Sequence, residues 1–236
     1  MDKYDSDKET LWIDLMLEDY EQMHRIQKIL HKKREHGHIP NVVLMLEHTP
    51  SITIGSSGGH QHLLANAEIL QQHGIKVHET SRGGDITYHG PGQLVCYPIL
   101  ALRGEQRDLH AYARNMEEVM IQTVRRYGIN AGRKSKFPGA WVGGEKIGAM
   151  GIAVRKWTTM HGIALNVCPD LRHFSFIVPC GITAHSVTSM QQQLGYTPHL
   201  MAVRREMRHQ FSTIFKFPLR SASLKQLLTE DSLETA

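Results

Sequence analysis

Cysteine is scarce in this chain. Cys96, Cys168 and Cys180 are an odd set of three with no C-x-x-C pair, which argues against both a disulfide framework and a zinc cage. No window comes near the roughly 18 uninterrupted apolar residues that a membrane-spanning helix requires. The first ten residues include Asp2, Lys3, Asp5, Asp7, Lys8 and Glu9, where a secretory signal would have a basic start and an apolar run; a cytoplasmic protein is expected. Internal repeats, low-complexity tracts and linkers are also missing.

What is present suits one large domain: 236 residues, 41% of them hydrophobic, can bury a proper core. The net charge of +4 comes from small basic clusters at Lys32-Lys33-Arg34, Arg125-Arg126, Arg133-Lys134-Ser135-Lys136 and Arg204-Arg205. Such a surface could attract acidic protein partners. No aromatic residue is interleaved with the clusters, which argues against nucleic acid. Sixteen histidines include His36-x-His38 and His60-x-His62, but no carboxylate or cysteine completes a ligand set, so no metal is expected.

Periodicity outlines the elements. Asp14 to His36 has apolar residues at helical spacing and is closed by Gly37, which predicts a core-facing helix. Val42 to Glu47 and Ser51 to Gly55 read as strands, and Ser56 to Gly59 as a loop. Leu63 to His73 reads as a short helix stopped at Gly74, and Ile75 to Thr80 as a strand. Leu94 to Leu100 reads as a buried strand, and Asp108 caps a helix that ends at Gly128. Ala140 to Val154 reads as a hairpin around Gly143-Gly144, with Lys146 just past the turn. Thr159 to Val167 is a further strand, and a last helix starts at Thr197-Pro198 with proline at the first helical position. The last sixteen or so residues look peripheral. The irregular mixture predicts an α/β fold, a single domain around a mixed β-sheet.

Between the strands at Ile75 and Leu94 lies Arg82-Gly83-Gly84-Asp85-Ile86-Thr87-Tyr88-His89-Gly90-Pro91-Gly92-Gln93, with four glycines and a proline around a short polar core. It reads as an ordinary glycine-rich turn or as a surface over which a ligand is laid. Cys96 and Cys168 read as structural. In Val178-Pro179-Cys180-Gly181 the proline fixes the chain before the sulfur, and the glycine N–H could meet a developing oxyanion. A nucleophilic thiolate requires a nearby cation or base. Lys146, among small residues in a strand, is one candidate, although a strand lysine commonly snorkels to solvent. His89 and His161 compete as bases.

Taken in order, four segments resemble the octanoyl-carrier-protein:protein octanoyltransferases, also called lipoyl(octanoyl) transferases: the Arg82 to Gln93 stretch, Lys146-Ile147-x-Ala149-x-Gly151-Ile152, His161-Gly162-x-Ala164-Leu165-Asn166-Val167 and Pro179-Cys180-Gly181. No single piece is specific, but the combination is, and the similarity runs from about Leu15 to Phe215. The resemblance implies the fold of lipoate and biotin protein ligases, with a core of about residues 11–217 and peripheral termini. It also implies a catalytic pair of Cys180 and Lys146. Substrate contacts would fall on Arg82, Gly83, Gly84, Asp85, Ile86, Thr87, Tyr88 and His89, on Ala149, Met150 and Gly151, and on Gly162, Ile163 and Ala164. Small residues there would leave room for an eight-carbon chain.

By the same resemblance, the Cys180 thiolate takes octanoyl from the phosphopantetheine arm of an acyl carrier protein. It then passes the group to a lysine on lipoyl domains of 2-oxoacid dehydrogenases or on the glycine-cleavage H protein. No cofactor, ATP, nucleic acid or membrane is implied. The basic Arg133 to Lys136 run is the candidate docking surface for these acidic partners. The alternatives are an ATP-dependent lipoate ligase, an amidotransferase between lipoyl domains and a non-catalytic carrier-binding protein.

Overall fold

The computed structural model describes residues 9–178 and 186–228. Asn41–His48 (β2) sends Val42, Leu44 and Leu46 into one core and Val43 and Met45 into another, all fully buried. Gln93–Ile99 (β6) divides Val95, Tyr97 and Ile99 from Leu94 and Cys96 in the same way. Apolar residues on both sides of a strand mean that both faces of the sheet are covered.

These strands sit near the centre of a mixed sheet. Among the described residues it has eight strands, in the order Leu219–Ser221 (β11), Thr10–Glu18 (β1), β2, β6, Thr158–Asn166 (β10), Glu145–Arg155 (β9), Phe137–Val142 (β8) and Gly132–Lys134 (β7). β1 is parallel to both of its neighbours, and the other pairings are antiparallel. Tyr20–Glu35 (α1) covers one face with Met23, Ile26 and Leu30. Burying each of these contributes roughly 1.5–3 kcal/mol. The other face carries Leu109–Arg125 (α3) and Leu200–Phe215 (α5), through Met116, Val119, Met120, Val203, Met207 and Phe211.

A smaller sheet places Ser51–Ile54 (β3) between Lys76–Glu79 (β4) and Ile86–His89 (β5). Its apolar residues join Leu70 of Ala67–Gln72 (α2) in a third core. A short helix, Met190–Leu194 (α4), precedes α5. None of the described helices is long and apolar enough to cross a membrane.

Three expectations are corrected. The first helix starts at Tyr20, because Asp14 to Glu18 belongs to β1, where Leu17 is 51% exposed beyond a bulge. The helical spacing of Leu17, Tyr20 and Met23 runs across a real boundary at Asp19, whose carboxylate accepts the N–H groups of Glu21 and Gln22. The last helix starts at Leu200 with His199 at its N-cap, so Pro198 lies just outside it. The carboxy-terminal segment is less peripheral than expected: β11 extends the sheet, and Leu227 is buried against the α1 side of the core.

Asp19 also accepts a hydrogen bond from Lys76 Nζ at 2.9 Å. That bond first, and then the backbone donors, hold its carboxyl below the usual value. Asp19→Ala is therefore expected to cost about 1 kcal/mol of stability at neutral pH, measured by urea unfolding. The contribution is fully present above about pH 4 and is lost as the pH falls through the lowered folded value, so the two proteins should converge in acid.

Candidate active site

On the α1 face of the main sheet, β5, β6, β9, β10 and Tyr20 enclose a cavity of about 770 Å³, counting its open mouth. Lys146 lines it, as do Arg82, Gly84, Asp85, Ile86, Thr87 and His89 from the glycine-rich stretch. Ala149, Met150, Gly151, Gly162, Ile163 and Ala164 line it as well. They meet because β9 and β10 pair directly, with Gly151 opposite Gly162 and Met150 opposite Ile163.

Two of the expected contacts do not line the cavity. Tyr88 alternates with Thr87 and His89 on β5, so its ring turns into the third core, where its hydroxyl meets His173 Nδ1 at 2.7 Å. Gly83 lies behind the wall, its N–H donating to Ile152 O at 2.9 Å. Cys180 lies outside the described residues. Cys96 belongs to the core shared with α3 and α5, where burial pushes its thiol up, in keeping with a structural role.

The glycines serve a purpose other than leaving room for a chain. A Cβ on Gly162 would lie 2.0 Å from Cys96 O, and one on Gly151 would lie 2.9 Å from Gly83 O. Their bareness lets neighbouring backbones touch, which brings the Arg82 loop down onto β9.

Arg82 is 8% exposed. Its guanidinium donates to Thr53 O at 2.7 Å, to Thr53 Oγ1 at 2.9 Å and to Gly83 O at 3.2 Å. Around it stand histidines that burial keeps neutral. His89 and His161 are pulled down to about 3, by desolvation first and then by neighbouring cationic groups that include Arg82. His24 and His48 fall to about 4, also mainly through desolvation.

Hydrogen bonds set the protons. Gln93 Nε2 donates to Tyr88 O and Asn166 Oδ1, so Gln93 Oε1 accepts from His89 Nδ1–H at 2.7 Å. The other His89 nitrogen is left as an acceptor. His161 has φ +60 and is 1% exposed, its N–H held by Gln27 Oε1 at 3.0 Å. A non-glycine residue in that region costs on the order of 1–3 kcal/mol and is concentrated at functional sites.

Motif reading missed Tyr20, Tyr97, Phe174 and Val187, which also line the cavity. Tyr20 carried a signal only as a helix-face residue, and the other three had none. Gln93 and Asn166 stood inside the motifs without a role. Of the basic run, Arg133 is engaged by Glu117 and Glu118 at 3.0 and 2.6 Å, and Lys134 lies over aromatic rings.

The architecture is that of the lipoate and biotin protein ligases. A lipoate-protein ligase A solved with ATP superposes with a TM-score of 0.78 at 18% identity, covering 97% of this chain and 92% of that one. A bi-partite lipoate protein ligase from Thermoplasma acidophilum gives 0.78 at 20% identity, over 96% and 90%. A biotin protein ligase from Aquifex aeolicus gives 0.53 at 12%, over 89% and 71%.

The family model of the lipoyl protein ligase A/B catalytic domain matches residues 19–212, and the chain belongs to this family. Among its curated relatives, the octanoyltransferase of Solibacter usitatus is 47% identical over 201 residues, 85% of this chain and 90% of that one. The octanoyltransferase of Clostridium kluyveri is 46% identical over 183 residues, 78% of each.

The neutral histidines give a pH prediction. Their folded values, about 3 to 4, lie below the unfolded value of about 6.5, so the unfolded chain binds more protons between the two. Stability is fully present above about pH 6.5 and is lost as the pH falls, by up to about 1.4 kcal/mol per unit for each histidine. The urea midpoint should drop steeply from pH 6.5 to 4.5; a flat profile would contradict their neutral burial.

Proposed function

We infer that this chain is an octanoyltransferase of protein lipoylation, moving an octanoyl group onto a lysine of lipoyl domains. The observation that carries the reading is the convergence of Lys146 and the expected acyl contacts on one cavity, in a chain 47% identical to an octanoyltransferase. The cavity supplies apolar walls from Val95, Ala149 and Ala164, with polar groups from Arg82, His89 and Lys146 near them. That combination suits a fatty tail ending in a carbonyl.

In the proposed mechanism the Cys180 thiolate attacks the thioester carbonyl of octanoyl on the phosphopantetheine arm of an acyl carrier protein. The carbon–sulfur bond to the arm breaks, and the departing sulfur takes a proton from the Lys146 ammonium. The neutral amine of the lipoyl-domain lysine then attacks the Cys180 thioester and gives a proton to the now neutral Lys146. The amide forms, the thiolate leaves, and the starting pair is restored. The thioester arrives activated, so no ATP and no cofactor enter.

The described flanks of the Cys180 segment support its part in this. Val178 N–H donates to His62 O at 2.8 Å, and His62 stands 2.6 Å from the cavity-lining Asp85. On the far side, Ser186 O accepts the Lys146 N–H at 2.9 Å.

Incubation with octanoyl-acyl carrier protein, without ATP, should add one octanoyl group to the protein by intact-mass spectrometry. Cys180→Ser should take up none while keeping its melting temperature, and Lys146→Ala should slow transfer by about 10²- to 10⁴-fold. Transfer by the Cys180→Ser protein, or a strict requirement for ATP, would remove the mechanism.

A further inference from the structure

Trp141 reads in the sequence only as part of a strand, yet β8 and β9 are built so that it faces Lys146. Ala140 pairs with Gly148 and Trp141 with Lys146, leaving Ile147 as an extra residue on β9. Without that bulge Trp141 would oppose Ile147, whose side chain is fully buried in the core against α3. The bulge satisfies both demands: Ile147 stays in the core, and Lys146 comes round to the face of Trp141.

Gly139 adds to the fit. It has φ +127, and a Cβ there would lie 2.4 Å from Gly148 O and 3.6 Å from Lys146 Cε. The backbone can therefore lie close beneath the lysine stem.

The outcome is a cation over an aromatic ring. Lys146 Nζ lies 4.9 Å from the Trp141 ring centroid, inside the roughly 6 Å over which the ring quadrupole attracts an ammonium group. The indole is fixed, being 3% exposed with its Nε1–H donating to Phe137 O at 2.9 Å. A second ammonium, Lys134 Nζ, approaches the same ring at 5.0 Å from β7. The ring is thus shared by two like charges that reach it from the two flanking strands.

We propose that Trp141 is a positioning residue whose ring face holds the Lys146 ammonium at the cavity wall, with Lys134 drawing on the same ring. The proposal rests on Lys146 being the proton carrier of acyl transfer. Trp141 acts through Lys146, by setting where its ammonium stands at the cavity wall.

The test varies the ring's charge distribution while keeping its shape. Tryptophans carrying one to three ring fluorines, introduced at position 141 alone, weaken the negative face of the indole stepwise. The kcat for octanoyl transfer should fall at each step, by about three- to thirtyfold over the series, with the KM for the acyl donor within about twofold. Trp141→Phe, which keeps an aromatic face but loses the Nε1–H bond, should retain more activity than Trp141→Leu.

A flat fluorine series, or equal losses in the Phe and Leu variants, overturns the proposal if Lys146→Ala is inactive. Lys134→Met losing as much activity as Trp141→Leu also overturns it, since the ring would then not be acting through Lys146. Wild-type transfer by Lys146→Ala would instead remove the underlying assignment of Lys146, a different failure read from a different protein.

Discussion

The main chain of Lys146 is the knot that the site depends on. Its N–H donates to Ser186 O at 2.9 Å, and its C=O accepts from Thr188 N–H at 3.0 Å. The segment beyond residue 185 therefore cannot leave β9 without exposing both groups. From there the bonding continues inward: Asn166 Nδ2 donates to Thr188 O, Gln93 Nε2 to Asn166 Oδ1, and His89 Nδ1–H to Gln93 Oε1. Four distant stretches of sequence are joined by one line of hydrogen bonds. Asn166, Thr188, Gln93 and His89 are all buried, and a broken link there would leave a polar group unsatisfied at about 1–3 kcal/mol. The geometry of the wall follows from this constraint more than from the packing of any one side chain.

The neutral histidines belong to the same logic. His48 donates Nδ1–H to Glu18 O and accepts from the Tyr97 hydroxyl at 2.8 Å, while Tyr20 packs against His24, His48, His78 and His89. Protonating His89, or His161 nearby, would place a second charge beside Arg82. The fold thus keeps a densely polar layer uncharged, and such a layer can border an apolar ligand without a large desolvation cost.

Much of this was legible in the sequence because local rules and the fold agreed. Gly37, Gly74 and Gly128 end helices with φ of 71°, 62° and 83°, and Asp108 caps α3 through His110 N and Ala111 N. β2 and β6 declared themselves by apolar residues on both faces. β1 did not, because Leu17 and Tyr20 share a helical spacing by accident while the strand depends on distant partners in β2 and β11. The site divides in the same way. Motifs identified the cavity-lining residues, but whether a motif residue faces the cavity depends on strand phase, which sent Tyr88 inward to another core. The pairing of Trp141 with Lys146 was invisible, since it requires a bulge that only the competing demand of Ile147 for the core makes intelligible.

The two sheets contribute unlike halves to the cavity. The main sheet supplies Val95, Ala149 and Ala164, while the β4–β5 loop and β5 supply Arg82, Asp85, Thr87 and His89. At the seam Gly151 meets Gly83 O and Gly83 N–H donates to Ile152 O at 2.9 Å, so the two halves cannot be drawn apart without breaking that bond. A molecule that fits must bring its apolar length to one wall and its polar end toward the other. Lys146 stands on the same β9 that forms the apolar wall, so an ionisable side chain lines the cavity beside its hydrocarbon surface.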